Sequence, residues 1–286
     1  MSDDEKYPFL GLGMSASGVE AAAIARAIVA GEAAHLPSIQ MLNVGVSTMS
    51  ALPVDLAALL RRASLGCVAH LEEINLVGAF DEDRFRRVLE RCDALSPSWI
   101  QEDLGIWVWN GGPLGAQMIP PILDARSLDD ATRIIERILA LSPYPFLAEN
   151  PPFYAALGDL DLLGFMSALA RRTGCGLILD IGHLVGYATC VNRDPLAYLD
   201  TFERWSDVVE IHLAGYTLSE TNRGTIWEDA HEAPVQPLAL AILDRVLASA
   251  RNVKAITIEV EGARLDVLKN NVVRVADRLE AVAAHA

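Results

Sequence analysis

The chain has 286 residues, and 52% of them are hydrophobic, which argues against a disordered protein and allows a large buried core. The formal net charge of −15 argues against binding to nucleic-acid phosphates or to anionic membrane surfaces. The four cysteines include no CxxC pair, which argues against a zinc–thiolate site. The polar start and the lack of an apolar stretch long enough to span a bilayer predict a cytoplasmic protein.

Eight short apolar runs recur along the chain, and helical spacing of apolar residues follows them. The runs are FLGLGMS from Phe9, SIQMLNVGV from Ser38, GCVAHLE from Gly66, WIQEDLG from Trp99, PFLAEN from Pro145, CGLILDI from Cys175, VVEIHLAG from Val208 and AITIEVEG from Ala255. Eight strand–helix units in a chain of this length predict a single-domain (β/α)8 TIM barrel over residues 1–286. A doubly wound sheet is the alternative, and the lack of a GxGxxG motif after a strand disfavours it.

Residue types predict where two of the helices begin and where the long loops lie. Asp81 and Ser127 are the predicted N-caps of the helices DEDRFRRVLERCDAL and LDDATRIIERILAL. A long Gly- and Pro-rich connection is predicted at 107–123 after the fourth strand, and a similar loop at 216–228 after the seventh. In a TIM barrel both connections lie on the catalytic face.

Acids and histidines gather at the C-terminal ends of six predicted strands. These residues, with those in the loops just beyond, are His70, Glu102, Asp103, Glu149, Asn150, Asp180, His183, Glu210, His212, Asp229, His231, Glu259 and Glu261. Burying an isolated charge costs several kcal/mol, so packing alone does not account for this pattern. Carboxylate oxygens and imidazole nitrogens are ligands of Zn, Mn and Fe. The set predicts a cluster of two or three metal ions with Glu149 as a bridging carboxylate.

Some of these residues have plainer interpretations. A lone histidine on a strand is more often a hydrogen-bonded core residue than a ligand, and for His70 considered alone the two interpretations are balanced. His212 is favoured as a ligand because Asp229 and His231 follow it closely. The acids expected at the surface or behind the ligands are Glu72, Glu73, Glu102 and Glu228. The residues expected to orient the ligands are Asn150, Asn192 and Glu261.

Several motifs together resemble one family. The segments AENPPFY, RRTGCGLILDIGHLVGYA, EIHLAGY, EDAHEAPV and ITIEVEG are similar to those of the multinuclear non-haem iron-dependent oxidases, which include the methanobactin-synthesising oxidase. The resemblance runs from His70 to Glu259 and is strongest at HLAG and at DAH before Pro-Val. It implies a (β/α)8 barrel that holds two or three iron ions and uses O2 to oxidise residues, often cysteines, in ribosomally made peptides.

The resemblance also implies a ligand set, with two departures from the family pattern. It makes metal ligands of His70, Glu149, Asp180, His183, His212, Asp229, His231 and Glu259. In the fourth strand the family's usual histidine is replaced by Asp103, which can still bind a hard cation and makes the site richer in oxygen ligands. In the sixth strand motif His183 stands where an asparagine is common.

The function implied by the resemblance is an oxidase or oxygenase that depends on iron, as mixed Fe2+ and Fe3+, and on O2 as co-substrate. Its substrate would be a residue of a precursor peptide, in many relatives a cysteine, or a related small molecule. Glu149, Asp180 and His212 are the expected catalytic residues. A small partner protein that presents the peptide is implied; nucleic-acid and membrane partners are not expected.

Two alternatives of other classes stay open. The first is a redox-neutral, divalent-metal TIM-barrel enzyme of the sugar isomerase or epimerase type, which would act without oxygen. The second is a non-catalytic metal- or peptide-binding protein, which would have a coordinatively saturated site.

Overall fold

Parallel strands alternate with helices in the computed structural model, which describes residues 6–32, 39–115, 118–222, 224–260 and 265–285. The strands are β1 (Gly11–Ser17), β2 (Met41–Gly45), β3 (Gly66–His70), β4 (Ile100–Asp103), β5 (Val108–Trp109), β6 (Gly112–Pro113), β7 (Phe146–Glu149), β8 (Gly176–Asp180), β9 (Val208–Leu213), β10 (Tyr216–Thr221), β11 (Gly224–Asp229) and β12 (Ala255–Ile258). The helices are α1 (Gly18–Val29), α2 (Leu56–Arg62), α3 (Glu82–Leu95), α4 (Ala125–Leu141), α5 (Leu162–Thr173), α6 (Ile181–Cys190), α7 (Pro195–Leu199), α8 (Pro237–Ser249) and α9 (Leu265–His285), with a 3₁₀ helix at Trp205–Asp207.

Eight of the described strands close a parallel barrel in the order β1-β12-β9-β8-β7-β4-β3-β2, and β2 pairs with β1. Each of the eight predicted apolar runs overlaps one of these strands, so the predicted TIM barrel is confirmed. The register sets Asp103 opposite Glu149 and Asp180 opposite His212. The C-terminal ends of neighbouring strands therefore meet at one level, which is where the polar residues stand.

The barrel strands are apolar on both faces because each face is covered. The outward side chains pack against the helices in a large hydrophobic core. Inside the barrel, a second cluster closes the N-terminal end; we call it the floor, and it comprises Tyr7, Met41, Val68, Trp99, Leu147, Ile178, Val209 and Ala255. No helix in the described ranges is long and apolar enough to cross a membrane.

One predicted N-cap is confirmed and the other is wrong. The Asp81 side chain accepts from the Arg84 backbone N–H at 2.9 Å and begins α3. Helix α4 begins earlier than its apolar spacing indicates, because Asp124 caps it by accepting from the Ser127 N–H at 2.7 Å. Ser127 therefore lies in the first turn of α4 and donates to the cap.

The two predicted loops differ from each other in the structure. Residues 107–115 and 118–123 belong to the connection from β4 to α4, which contains the short hairpin β5–β6. Residues 216–222 and 224–228 are not a Gly- and Pro-rich loop but lie in the regular antiparallel hairpin β10–β11, in which Thr, Ile and Trp residues favour the extended conformation. Trp227 of this hairpin packs on Gly186 of α6, where an added Cβ would lie 2.8 Å from the indole ring. This contact places Asp229, at the end of β11, beside the barrel opening.

Candidate metal centre

The C-terminal ends of the barrel strands, with the start of α6 and the end of β11, bring together the nine predicted ligands. We call this set the ligand cluster, and it comprises His70, Asp103, Glu149, Asp180, His183, His212, Asp229, His231 and Glu259. Asp180 and His212 are fully buried and Glu149 is 1% exposed, whereas His231 is partly open to solvent. The prediction from strand ends thus selects residues that the fold does bring together.

Glu149 occupies the centre of the ligand cluster. Its Oε2 lies 3.3 Å from His70 Nε2, and its Oε1 lies 2.9 Å from His212 Nδ1. The same Oε1 is 3.8 Å from His183 Nδ1. Because its two oxygens face different histidines, this carboxylate has the arrangement that a bridge between two cations requires.

The remaining ligands extend the cluster toward solvent. Asp229 Oδ2 lies 3.0 Å from His231 Nε2 and 3.4 Å from His183 Nε2. Glu259 reaches both sides, with Oε2 3.5 Å from His231 Nε2 and Oε1 3.3 Å from His212 Nδ1. Ligand atoms therefore run without a break from the buried Glu149 to the partly exposed His231.

The donor set fits a metal ion on two grounds. Among the described residues, four groups have ligand atoms within 4.8 Å of one another: His70, Glu149 and His212; His70, Glu102 and Asp103; Asp103, Glu149 and His183; and Asp180, His212 and Glu259. In addition, Asp103 Oδ1, Asp180 Oδ2 and Asp229 Oδ1 are buried without a hydrogen-bond partner in the described part of the chain. Buried oxygens of this kind are costly unless a donor or a cation meets them.

The pKa values of the cluster residues also favour a bound cation. Burial raises the pKa of Asp180 to about 8 and raises the pKa of Asp103 well above its usual range. Burial alone would raise the pKa of Glu149, but His212 and His70 hold it well below its usual range. Burial would lower the pKa of His70, but its hydrogen bond to Glu149 and the nearby carboxylates raise it to about 10. Without a cation the cluster therefore retains protons that metal ions would displace.

Neighbouring groups indicate which ring nitrogens face the cluster. His183 Nδ1 lies 2.8 Å from the Asn150 carbonyl oxygen and can donate to it, which leaves Nε2 to face Asp229. His70 turns Nε2 toward Glu149 and Asp103, and its Nδ1 lies 3.9 Å from Glu102 Oε1. The His183 ring thus presents Nε2 to the cluster and Nδ1 to an acceptor behind it, whereas His70 Nδ1 has no hydrogen-bond partner among the described residues.

The three predicted orienting residues have different positions. Asn150 is 1% exposed and holds the Asp180 backbone at both groups, donating to O at 2.9 Å and accepting from N–H at 2.8 Å. Asn192 is not at the cluster: it is exposed beyond the C-terminal end of α6, whose N-terminal end lies at Asp180. Its left-handed backbone, with φ of 53°, is a conformation that asparagine tolerates at such an end. Glu261 lies outside the described residues.

Three residues behind the ligands did not stand out in the sequence as a layer. Glu210 and Gln101 are fully buried and Asn43 is 2% exposed, and all three lie near His212 Nε2, at 3.3, 3.1 and 3.4 Å respectively. The period-two alternation of strands gives the signal for two of them, since Gln101 precedes Asp103 by two residues and Glu210 precedes His212 by two.

An open cavity of about 680 Å³ lies above the ligand cluster. Ligands of the cluster form its base, and its walls include Ser15, Ser47, Met49, Trp107 and Tyr154. This volume is within the range of pockets that bind small molecules or single side chains. Its position at the C-terminal face of the barrel is the one that TIM-barrel enzymes use for catalysis.

A family model described as RiPP precursor modification enzyme MbnB/TglH/ChrH matches residues 50–280. The chain belongs to this family. The match confirms the resemblance indicated by AENPPFY, HLAG and DAH, and it identifies the barrel as that of a peptide-modifying enzyme family.

Other relatives match over less of the chain. A UPF0276 protein of Caulobacter sp. (strain K31) is 31% identical over 158 residues, which are 54% of this chain and 56% of that protein. A UPF0276 protein of Rhizobium meliloti (strain 1021) is 30% identical over 168 residues, 58% of this chain and 53% of that protein. In both comparisons the chain spans about half the length of the relative it matches.

Solved structures share the fold at low identity. A xylose isomerase-like TIM-barrel protein from Mycobacterium smegmatis, in complex with magnesium, has a TM-score of 0.61, 10% identity and 99% coverage of both chains. An L-ribulose 3-epimerase has a TM-score of 0.60, 12% identity and 96% coverage of both chains. At such identities these structures establish the barrel fold alone.

Proposed function

We propose that this chain is an iron- and O2-dependent oxidase that modifies a residue, in the first instance a cysteine, of a ribosomally made peptide or a related small molecule. The observation that carries the proposal is the position of Glu149 between the imidazoles of His70 and His212, at 3.3 and 2.9 Å. A buried carboxylate with a different nitrogen at each oxygen suits a multinuclear centre better than a single ion. Membership of the peptide-modifying family supports the substrate class.

In this proposal the ligand cluster holds two or three iron ions. Bound iron would supply the redox chemistry and the activation of O2. The protein fixes the positions of His183 and His212, because each has an acceptor behind the ring. The nine ligands exceed the number that one ion takes, so more than one ion is expected.

Asp180 and His212 act beside Glu149 in this proposal. Asp180 Oδ1 accepts from the His183 backbone N–H at 2.5 Å, whereas Oδ2 has no partner in the described residues. Because burial raises the pKa of Asp180 to about 8, its free oxygen can hold a proton when no cation is near. Oδ2 is therefore the oxygen left to meet a cation, which would displace that proton.

The cavity is suited to a peptide side chain entering from solvent. Trp107 is 8% exposed and lines the cavity, and its indole N–H has no acceptor in the described ranges. A buried donor of this type matches a peptide carbonyl oxygen. Large apolar side chains are exposed on the loops around the opening, among them Met49, Trp109 and Tyr154. Such a surface would suit a small partner protein that presents the peptide.

The test is the metal content and oxygen reactivity of protein purified without air. We expect two or three irons per chain, a Mössbauer spectrum of coupled ferrous and ferric ions, and oxygen uptake on adding a cysteine-containing peptide encoded beside the gene. Mass spectrometry of that peptide then shows an oxidative change in mass. One zinc or manganese per chain, with no oxygen uptake after anaerobic iron reconstitution, contradicts the proposal.

A redox-neutral metal enzyme of the sugar isomerase or epimerase type is the second candidate. Asp103 favours it, because an oxygen ligand replaces the histidine that the family uses at this position. A fold relative in complex with magnesium and an epimerase share the barrel. Conversion of ketoses by the manganese- or magnesium-loaded protein under nitrogen would select this candidate.

A further inference from the structure

Glu210 is a fully buried carboxylate in the barrel interior, between the floor and the ligand cluster. Its Oε2 accepts from the Trp99 indole N–H at 2.8 Å, and its Oε1 accepts from the Thr257 hydroxyl at 2.6 Å. Its ionic contact in the described part of the chain is with His212, whose Nε2 lies 3.3 Å from Oε1. A buried charge held by two neutral donors is costly unless a positive charge lies close by.

His212 links Glu210 to the place of the predicted metal ions, whose positive charge would offset that of the carboxylate. Its Nδ1 faces Glu149 at 2.9 Å and Glu259 at 3.3 Å, so Nδ1 is the nitrogen that meets a metal ion in the cluster. A neutral imidazole carries one proton, which must then be on Nε2. Glu210 Oε1 is the acceptor that faces this nitrogen.

Two amide groups near the same nitrogen define the competing arrangement. Gln101 Nε2 lies 3.1 Å and Asn43 Nδ2 lies 3.4 Å from His212 Nε2. These groups would donate to a bare Nε2 if the proton were on Nδ1 instead. That arrangement removes Nδ1 as a ligand and leaves Glu210 without the histidine as a donor.

We propose that Glu210 is a positioning residue of the metal centre, which accepts the Nε2–H of His212 and so presents Nδ1 to the metal. Trp99 and Thr257 hold Glu210 in place, so the floor and the metal centre are joined through one carboxylate. The carboxylate also makes the imidazole a stronger ligand, because accepting the Nε2–H increases the electron density that Nδ1 offers to the cation. The inference rests on the metal centre of the proposed function and does not depend on which reaction follows.

The experiment uses the full chain loaded with Zn2+ as a diamagnetic probe. In the wild type we expect ¹⁵N NMR of labelled histidine to show His212 with metal on Nδ1 and the proton on Nε2. Glu210→Gln should weaken Zn2+ and Fe2+ binding roughly 10- to 100-fold in competition titrations. Trp99→Phe and Thr257→Val, which each remove one donor to Glu210, should weaken binding in the same direction by a smaller factor.

Two controls separate positioning from general disturbance. Glu73→Gln also removes a buried acid, one that accepts from Thr48 and lies outside the cluster, and it should leave metal affinity unchanged. Ile178→Val trims the floor without removing a hydrogen bond, and it too should leave affinity unchanged. If Glu210→Gln fails to fold, Thr257→Val keeps the shape of the side chain and measures the loss of one donor to Glu210.

The outcomes are distinct. A proton on Nδ1 of His212 in the zinc-loaded wild type, or wild-type affinity in Glu210→Gln, overturns the inference. Zinc bound as inferred together with an iron-loaded protein inert to oxygen contradicts the oxidase and leaves the role of Glu210 in place. A wild type that binds neither ion contradicts both.

Discussion

The two ends of the barrel interior are built from the same strands but have opposite chemistry. In β7, Leu147 lies in the floor and Glu149 in the ligand cluster; in β8, Ile178 and Asp180 stand in the same relation. Two residues of a strand span about 6.6 Å, so one inward-facing side chain is apolar and the next one along the same strand is a predicted ligand. Apart from Trp99, the floor residue that donates to Glu210, packing at one end and chemistry at the other can therefore be changed almost independently.

Between the two ends lies a thin layer of neutral and acidic hydrogen-bonding groups. Gln101, Glu210 and Thr257 point into the barrel below the cluster, and Trp99 of the floor donates to the first two of them. This layer has no apolar packing role of its own. Its members are polar although they are fully buried, and in the proposed centre they would hold the ligands.

The largest expected effect is at the cluster end. Glu149→Gln keeps the shape of the side chain but removes the charge that two histidines contact, so we expect at least one metal ion per chain to be lost and oxygen uptake to fall to background. Elemental analysis and an oxygen electrode measure both. Glu228→Gln is the matched control, since it removes the same charge from the exposed face of β11. Full metal content in Glu149→Gln would remove this residue from the centre.

A substitution in the floor should lower the stability of the fold and leave metal content unchanged. Leu147→Ala leaves a cavity in fully buried packing, and we expect the free energy of unfolding to fall by about 2–5 kcal/mol. Urea denaturation measures this loss. Metal content per folded chain should stay at the wild-type value, because Leu147 packs in the floor rather than in the ligand cluster. A proportional loss of metal in this variant would show that the two ends are coupled.

The pH dependence of stability should separate the metal-free from the metal-loaded protein. Asp180 has its pKa raised by burial from 3.8 to about 8, so its protonated form stabilises the fold below pH 4 and this contribution is lost as pH rises to 8. The pKa of His70 is raised from 6.5 to about 10, so its contribution is complete below pH 6.5 and is lost toward pH 10. Thermal unfolding with a chelator should therefore show Tm falling across this range.

Bound metal should oppose this fall of Tm with rising pH. Ligands must lose their protons to bind a cation, so loaded protein should gain Tm relative to the chelated protein as pH rises over the same interval. The depressed pKa values of Glu149 and Asp229 act only at lower pH, where their contributions are lost as pH falls through them. Parallel curves with and without the chelator would contradict binding at these residues.

The barrel strands, and the placement of the predicted ligands at the barrel opening, could be read from the sequence because both depend on local pattern. Apolar runs mark strands that are buried on two faces, and a polar residue at the end of such a run lies at the opening whatever the neighbouring strands contain. The hairpin at 216–229 was missed for a related reason. Its exposed alternation lies outside the barrel, and contacts distant in the chain, of Trp227 with Gly186 and of Tyr216 with Gln236, show that it is fixed in place.

The depth of a residue in the barrel and its distance from the ligand cluster were harder to predict. Alternation places Glu210 and His212 on one face, but the pairing of Thr257 with His212 and the reach of Trp99 decide that Glu210 lies under the ligand. Asn192 follows the strand-six motif closely in sequence, yet α6 carries it about 15 Å away at 1.5 Å per residue. Closeness in the chain is a poor guide where a helix starts at the site.

The smallest expected differences come from two asparagines, one beside the ligand cluster and one at the far end of α6. Asn150→Ala removes both hydrogen bonds to the Asp180 backbone and leaves buried groups without partners, so we expect about 1–3 kcal/mol of lost stability and metal binding weakened roughly 10-fold or more. Asn192→Ala should cost about 1 kcal/mol through its left-handed backbone and leave metal affinity unchanged. Metal titration and urea denaturation of both variants give the comparison. Weaker metal binding in Asn192→Ala would mean that the centre extends along α6, beyond the residues that contact it in this structure.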